Sequence, residues 1–154
     1  MWWRRVRYVL LLAALCAIAT CPAAKRACTA KTRAKEADEL LSYLAEKVTL
    51  SYLRTGKLPA GAPLTPRPSC CEQGGTCSPD PATWAAPGWT ALGFAIDDDY
   101  RYSYEYAPDP SGTTATLRAI GDLDCDGKGS LYEVKLTITG GQVFQSWTRT
   151  APYE

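Results

Sequence analysis

The chain has 154 residues, a formal net charge of +1 and no histidine. A chain of this length has room for one domain with a modest core, and its balanced charge offers no basic face of the kind that binds nucleic acid. Histidine is the commonest general base and the commonest partner of a nucleophilic serine or cysteine. Its absence therefore predicts a non-enzymatic protein without a small-molecule substrate.

Along the chain, the first predicted element is an apolar segment behind a basic flank. Three arginines among the first seven residues precede an uncharged run from Tyr8 to Ala24. We interpret residues 1–24 as a membrane anchor or a signal segment, and we expect residues 8–24 to contact the membrane. Because basic flanks stay in the cytoplasm, the rest of the chain is expected to lie outside it.

Three fates of this segment remain open. If the segment is retained, the chain crosses the membrane once. Residues Ala17 to Ala19 form an A-x-A site for signal peptidase, and cleavage there would produce a secreted protein. Residues Ile18 to Cys21 resemble a lipoprotein box, and lipidation of Cys21 would provide a lipid anchor.

A long amphipathic helix is predicted over residues 25–55. Its apolar residues recur at intervals of three and four, and charged residues occupy the opposite face. Gly56 and Pro59 are expected to end it. The apolar positions are Ala37, Leu40, Leu41, Leu44, Val48 and Tyr52. We expect this face to lie on a sheet.

Residues 57–93 are rich in proline and glycine, and we predict a long loop there. A loop of this length in a compact domain needs side chains that hold it in place. Trp84 and Trp89 are expected to do so as buried anchors. In the alternative interpretation, the two tryptophans and the tyrosines that follow form a surface that binds a carbohydrate or a protein partner.

Of the seven cysteines, three lie within the first 28 residues and four lie further on, at Cys70, Cys71, Cys77 and Cys125. In a small exported domain they suggest disulfide bonds. Cys70 and Cys71 are adjacent and rarely bond each other, because the small ring strains the peptide between them. We therefore expect one of them to pair with Cys77 and the other with Cys125. A zinc site is the alternative, but the spacing C-C-x5-C is unlike that of a zinc knuckle.

Four antiparallel strands are predicted in a sheet over residues 100–147. In YRYSYEYA, four tyrosines alternate with other residues, which places the tyrosines on one face of a strand. The segments TTATLRAI, LYEVKLTIT and QVFQSW follow, and Gly140-Gly141 joins the last two as a hairpin. The predicted fold class is therefore α+β. A long N-terminal helix packs on a four-stranded antiparallel sheet, with a disulfide-stapled loop rich in proline and glycine.

The segment DLDCDGKGSLYE between two of these strands matches the calcium-loop pattern D-x-[DN]-x-[DN]-G-x5-E. The candidate ligands are Asp122, Asp124, Asp126, the carbonyl of Lys128, Ser130 and Glu133. Hard oxygen ligands in a flexible loop suit calcium, although the flanks are not helical as in an EF-hand. The alternative is a turn in which the aspartates bond to their own backbone.

The order of these parts resembles that of type IV pilins and pseudopilins. The resemblance rests on C-C…C…D-P-x-x-W…P-x-W-x-x-L-x-F-x-I-D-D…Y-x-Y-x-Y…A-x-G-D-L-D-C-D-G. An apolar run that ends at Pro22, before the segment Ala30-Lys31-Thr32-Arg33, adds to it. The resemblance covers roughly residues 10–138. It implies that residues 25–154 form a pilin-like domain.

The resemblance implies a structural or minor subunit of a type IV pilus or of a type II secretion pseudopilus. Such a subunit would be a single-pass protein of the cell inner membrane with an extracytoplasmic C-terminal domain, and would assemble with itself or with other pilin-like subunits. The sequence departs from the family at its start, since Arg5 falls near the position of the family's glutamate and no leader ends in glycine. This departure keeps open a secreted or membrane-tethered pilin-like binding module that no longer assembles into a filament.

Overall fold

The computed structural model describes the backbone of residues 21–154 and the side chains from residue 29 onward. Helix α1 (Cys21–Thr55) comes first. The elements after it are β1 (Ala62–Thr65), 3-10 turns at Cys71–Gln73 and Pro81–Trp84, α2 (Pro87–Leu92), β2 (Ser103–Pro108), β3 (Thr114–Gly121), β4 (Ser130–Thr139) and β5 (Gln142–Thr150). The predicted α+β class is confirmed.

Helix α1 packs on the sheet, mainly over β3 and β4. Its buried residues recur at intervals of three and four, as an apolar helix face requires. They are Ala34, Ala37, Leu41, Leu44, Ala45 and Val48. The helix ends where Gly56 adopts a φ of 69° and its N–H donates to the carbonyl of Tyr52 at 2.7 Å. The helix predicted over residues 25–55 lies within α1 and ends at the same residue.

The sheet has five strands in the order β1-β2-β3-β4-β5, and all neighbouring strands are antiparallel. The prediction of four strands is therefore wrong by one, because β1 lies inside the segment 57–93 assigned to a loop. The segment APLT contains a proline, which argues against a strand when only the sequence is considered. Pro63 is tolerated because β1 is an edge strand. The sheet runs to Thr150, beyond the predicted end at residue 147.

The core contains both tryptophans and all four alternating tyrosines. Trp84 and Trp89 are 3% and 0% exposed, and their rings meet edge to face at 5.4 Å. Tyr100, Tyr102, Tyr104 and Tyr106 are each at most 2% exposed. The prediction that the tryptophans are buried anchors is confirmed. The alternative, in which these rings form a binding surface, is contradicted by their burial.

Two disulfide bonds join Cys70 to Cys77 and Cys71 to Cys125. The expectation that the two adjacent cysteines have different partners is confirmed, and the structure decides which partner each has. The first bond closes a small loop. The second bond ties residues 56–102, the connecting region between α1 and β2, to the turn between β3 and β4.

The predicted membrane segment of residues 8–24 lies largely outside the described residues, as do the signal-peptidase site and the basic flank. Among residues 21–154, no helix combines the length and the apolar character needed to cross a bilayer.

Candidate functional site

The aspartate-rich loop connects the end of β3 to the start of β4. The carboxylates of Asp122, Asp124 and Asp126 each offer an oxygen, and these oxygens all lie within 4.8 Å of one another. Asp122 is half-buried, while Asp124 and Asp126 are exposed. The loop therefore brings together three of the six predicted calcium ligands.

The loop also bonds to its own backbone. The Asp122 carboxylate accepts the N–H groups of Asp126 at 3.2 Å and Gly127 at 2.8 Å. The Asp126 carboxylate accepts the N–H of Lys128 at 2.9 Å and its ammonium at 3.1 Å. The Lys128 N–H, and then its ammonium, lower the pKa of Asp126. These bonds are those of the alternative interpretation, an aspartate turn closed by its own amides.

Two distant parts of the chain hold the loop in place. The Cys71–Cys125 disulfide fixes its middle, where Cys125 adopts a left-handed φ of 60°. The side chain of Leu123 is buried, and its carbonyl accepts a hydrogen bond from Nη1 of Arg33 on α1 at 3.3 Å. The aspartates therefore project from a turn whose backbone is anchored to both the helix and the connecting region.

Ser130 and Glu133 do not join the three aspartates. Ser130 is buried and donates to the carbonyl of Gly121 at 3.1 Å. Glu133 accepts from Nε of Arg118 at 2.9 Å, on the face of the sheet away from α1. The physical reason is that β4 begins at Ser130, and an extended strand carries Glu133 about 10 Å further on, at 3.3 Å per residue. In an EF-hand, a helix would bring this glutamate back to the loop.

Calcium binding by the three aspartates stays a prediction, and Asp124 provides its cleanest test. The Asp124 carboxylate makes no hydrogen bond to the described residues, so Asp124→Asn removes a charge without breaking the turn. We expect calcium to raise the melting temperature of the protein and chelator to reverse the increase, because a ligand at 100 times its Kd stabilises the native state by about 2.7 kcal/mol. Circular dichroism with calcium or with EDTA measures this difference.

We expect Asp124→Asn to abolish the calcium response. Asp97→Asn, in the separate exposed run of aspartates, is expected to retain it and serves as the matched control. Identical melting temperatures of the unaltered chain with calcium and with EDTA would contradict calcium binding by the three aspartates.

A second polar centre, Glu36, was not identifiable from its sequence context. Its Oε1 accepts the backbone N–H groups of Arg101 at 2.8 Å and Tyr102 at 3.2 Å, and the hydroxyl of Tyr104 at 3.3 Å. Nη1 of Arg101 lies 3.7 Å from Oε2. Glu36 thus links α1 to the chain as it enters β2. The one hint in the local sequence is that Glu36 directly precedes Ala37, at the margin of the buried apolar face of α1.

The Glu36 side chain is only 15% exposed. Burial raises the pKa of Glu36 above its ordinary value, although the two backbone amides and the charge of Arg101 act in the opposite direction. Burial also raises the pKa of Tyr104 well above its ordinary value, and the neighbouring Glu36 adds to this shift. The two side chains share one hydrogen bond in a largely buried junction between helix and sheet.

Replacement of Glu36 by alanine is expected to lower the free energy of unfolding by about 1–3 kcal/mol. The change leaves two backbone donors and the Tyr104 hydroxyl without their acceptor in a buried place. Urea unfolding at neutral pH measures the loss. Glu39→Ala, at an exposed position of the same helix, is expected to change stability by no more than about 0.5 kcal/mol. Equal effects of the two replacements would show that the Glu36 contacts contribute little.

The outward face of α1 carries large apolar side chains. Tyr43, Leu50 and Leu53 are 40%, 47% and 61% exposed. Their spacings of seven and three residues place them along one stripe of the helix. At the other end, residues 29–33 are exposed or partly exposed, and Ala34 is the first fully buried residue among the described side chains. The helix therefore has one face on the sheet and exposed apolar side chains on the other, of which Tyr43 also contacts Phe94 of the core, with ring centroids 5.9 Å apart.

Comparison with known proteins does not assign this chain to a family. No protein-family model matches it, and neither a curated protein nor a solved structure matches it significantly. The resemblance to type IV pilins therefore stays a prediction from the order of the motifs.

Proposed function

We propose that this chain is a non-enzymatic, pilin-like structural or minor subunit of a type IV pilus or of a type II secretion pseudopilus. In this role, residues 8–24 anchor it in the inner membrane and the disulfide-bonded domain lies outside the cytoplasm. The observation that carries the proposal is the two-sided character of α1, which packs on its own sheet and also presents Tyr43, Leu50 and Leu53 to the exterior.

The spacing of this outward stripe supports packing against other helices. Positions 43, 50 and 53 follow the seven-residue and three-residue intervals with which helices interlock side by side. Large apolar residues that stay exposed along one helix stripe are typical of surfaces that become buried in an assembly. At 1.5 Å per residue, the 35 residues of α1 extend over roughly 50 Å, so neighbouring helices could share a long contact.

The head, which comprises residues 57–154, has features that support an extracytoplasmic location. Two disulfide bonds in a small domain are typical of an oxidising compartment, since most cytoplasmic proteins keep their thiols reduced. They also close the proline-rich connecting region, which has little regular structure of its own. A covalently closed head on a long helix is suited to a structural role outside the cytoplasm.

Cross-linking in membranes tests the assembly through α1. We expect the full-length chain to yield cross-linked species of more than two copies, and we expect Leu50→Lys combined with Leu53→Lys to remove these larger species by placing charge on the apolar stripe. Ile120→Lys is the matched control, because Ile120 is a 39% exposed apolar residue on the outer face of the sheet. The absence of species larger than a dimer, or equal loss in both variants, would contradict the proposal.

Mass spectrometry of the mature N-terminus tests the anchor. A chain that starts at residue 1 supports a retained membrane segment. A chain that starts at residue 20 indicates a secreted head, and lipid on Cys21 indicates a lipoprotein. Either of these last two results would favour the alternative, a pilin-like module that does not assemble into a filament.

A further inference from the structure

Strand β5 forms an open edge of the sheet. It pairs with β4 on one side, and it is the last strand of the sheet among the described residues. Seven of its nine residues are exposed. It contains neither proline nor lysine, the residues with which proteins commonly protect such edges. A long unprotected edge of this kind readily accepts another strand.

The open backbone groups of β5 follow from the hydrogen bonds of β4. The N–H of Ile138 donates to the carbonyl of Thr113 at 2.8 Å, so even-numbered residues of β4 bond toward β3. Because antiparallel strands alternate sides, odd-numbered residues of β4 bond toward β5, as in the pair Lys135 and Ser146. The residues of β5 that direct their N–H and C=O groups to the open edge are Val143, Gln145, Trp147 and Arg149.

The edge is accessible and electrostatically neutral. Helix α1 packs mainly over β3 and β4. After β5 the chain turns back toward Tyr132, whose hydroxyl donates to the carbonyl of Pro152 at 2.6 Å, and so the described residues that follow β5 leave the edge uncovered. Arg149 carries the only charge of β5, and it pairs with Asp38 of its own α1 at 2.7 Å. A second strand of the same sequence would therefore meet no unpaired like charge.

We propose that β5 of a second copy of this chain occupies this edge, antiparallel and related by a two-fold axis at Ser146. Among two-fold registers, this one pairs all nine residues of both strands. It sets Val143 opposite Arg149 and Gln145 opposite Trp147 of the second copy, so the four open residues of each strand bond to those of the other. The contact occupies the β5 edge of both copies, so it forms a dimer and leaves no β5 edge for a third copy.

This contact lies on a different surface from the stripe of Tyr43, Leu50 and Leu53. It goes beyond the proposed function, which depends on α1, and either can fail without the other. The double variant Leu50→Lys and Leu53→Lys is accordingly expected to leave the β5 contact unchanged.

Disulfide trapping in the full-length chain tests the register. With Ser146→Cys, mild oxidation and a non-reducing gel are expected to show a covalent dimer. Residues at a non-hydrogen-bonded antiparallel pair have Cα atoms about 4.5 Å apart, which a disulfide can span. Thr148→Cys is the matched control, since residue 148 is also exposed on the same face but lies more than about 10 Å from residue 148 of the second copy. It is expected to show only the background of the unaltered chain.

A mixture of two single variants gives an independent check. Phe144→Cys and Thr148→Cys face each other in this register, so their mixture is expected to form the mixed dimer, recognised by a mass tag on one chain. Equal dimer yields from Ser146→Cys and Thr148→Cys, or no dimer from Ser146→Cys, would overturn the proposal. Adducts of Ser146→Cys with a different protein in place of the dimer would also overturn it, and would indicate a heterologous strand at this edge.

Discussion

Removal of the Cys71–Cys125 disulfide is expected to lower the free energy of unfolding by about 4 kcal/mol. The bond joins residues 54 positions apart, and the unfolded chain gains more conformational freedom when a long loop is opened than when a short one is. The variant is Cys71→Ala combined with Cys125→Ala, so that no free thiol remains from the pair. Urea unfolding, compared with the unaltered chain under oxidising conditions, measures the loss.

The second disulfide provides the control. Cys70 and Cys77 are seven positions apart, and their joint replacement by alanine is expected to lower stability by about 2 kcal/mol on the same chain-entropy reasoning. The long-loop variant should therefore be the less stable of the two. The reverse order, or equal losses, would mean that local packing around the cysteines and not loop closure determines their contribution.

Trp89→Ala is expected to lower the free energy of unfolding by about 3–5 kcal/mol, the range for deletion of a buried large aromatic side chain. Trp89 is 0% exposed, and its ring lies 5.4 Å from Trp84 and 5.2 Å from Phe94. Its Nε1 donates to Oγ1 of Thr65 at 2.8 Å, which joins α2 to β1. Loss of both the ring and the bond should release the connecting region from the sheet. Near-ultraviolet circular dichroism during urea unfolding measures the loss of stability and of aromatic packing.

Two further replacements separate the contribution of the buried ring from that of its hydrogen bond. Trp89→Phe keeps an aromatic ring but loses the donor to Thr65, so a smaller loss is expected, with about 1 kcal/mol from the hydrogen bond. Phe144→Ala removes an aromatic ring that is 55% exposed and is expected to change stability little. If Trp89→Ala were as mild as Phe144→Ala, the tryptophan cluster would not be what holds the connecting region.

Much of the fold could be predicted because its elements follow local patterns. The apolar repeat of α1 and the glycine at its end lie within one stretch of chain, and the hairpin at Gly140-Gly141 does as well. Strand β1 could not be predicted, because its four residues include a proline and its support comes from distant segments. These are its pairing with β2, more than thirty residues later along the chain, and the hydrogen bond from Trp89 of α2 to Thr65.

The candidate site could be predicted only in part, for a similar reason. The three aspartates alternate within one turn, so their proximity follows from the local sequence. The pattern match could not show that Ser130 and Glu133 leave the loop, because this depends on where β4 begins and on the partner that Arg118 provides from β3. The role of Glu36 depends on contacts with residues 65 to 68 positions away.

By itself, the sequence determined the long amphipathic helix, the strands that follow residue 100, the buried tryptophans and the separate partners of Cys70 and Cys71. The helix and the strands follow from periodicity and turn residues. The separate partners follow from the strain of a bond between adjacent cysteines, and the buried tryptophans follow from the need to hold a long loop in place. Only the tertiary structure decided which cysteine joins which, that Glu36 closes the junction of helix and sheet, and that β5 is left as an open edge. The physical reason is that these features arise between segments far apart in the chain, where burial and hydrogen bonding depend on which other segment packs alongside.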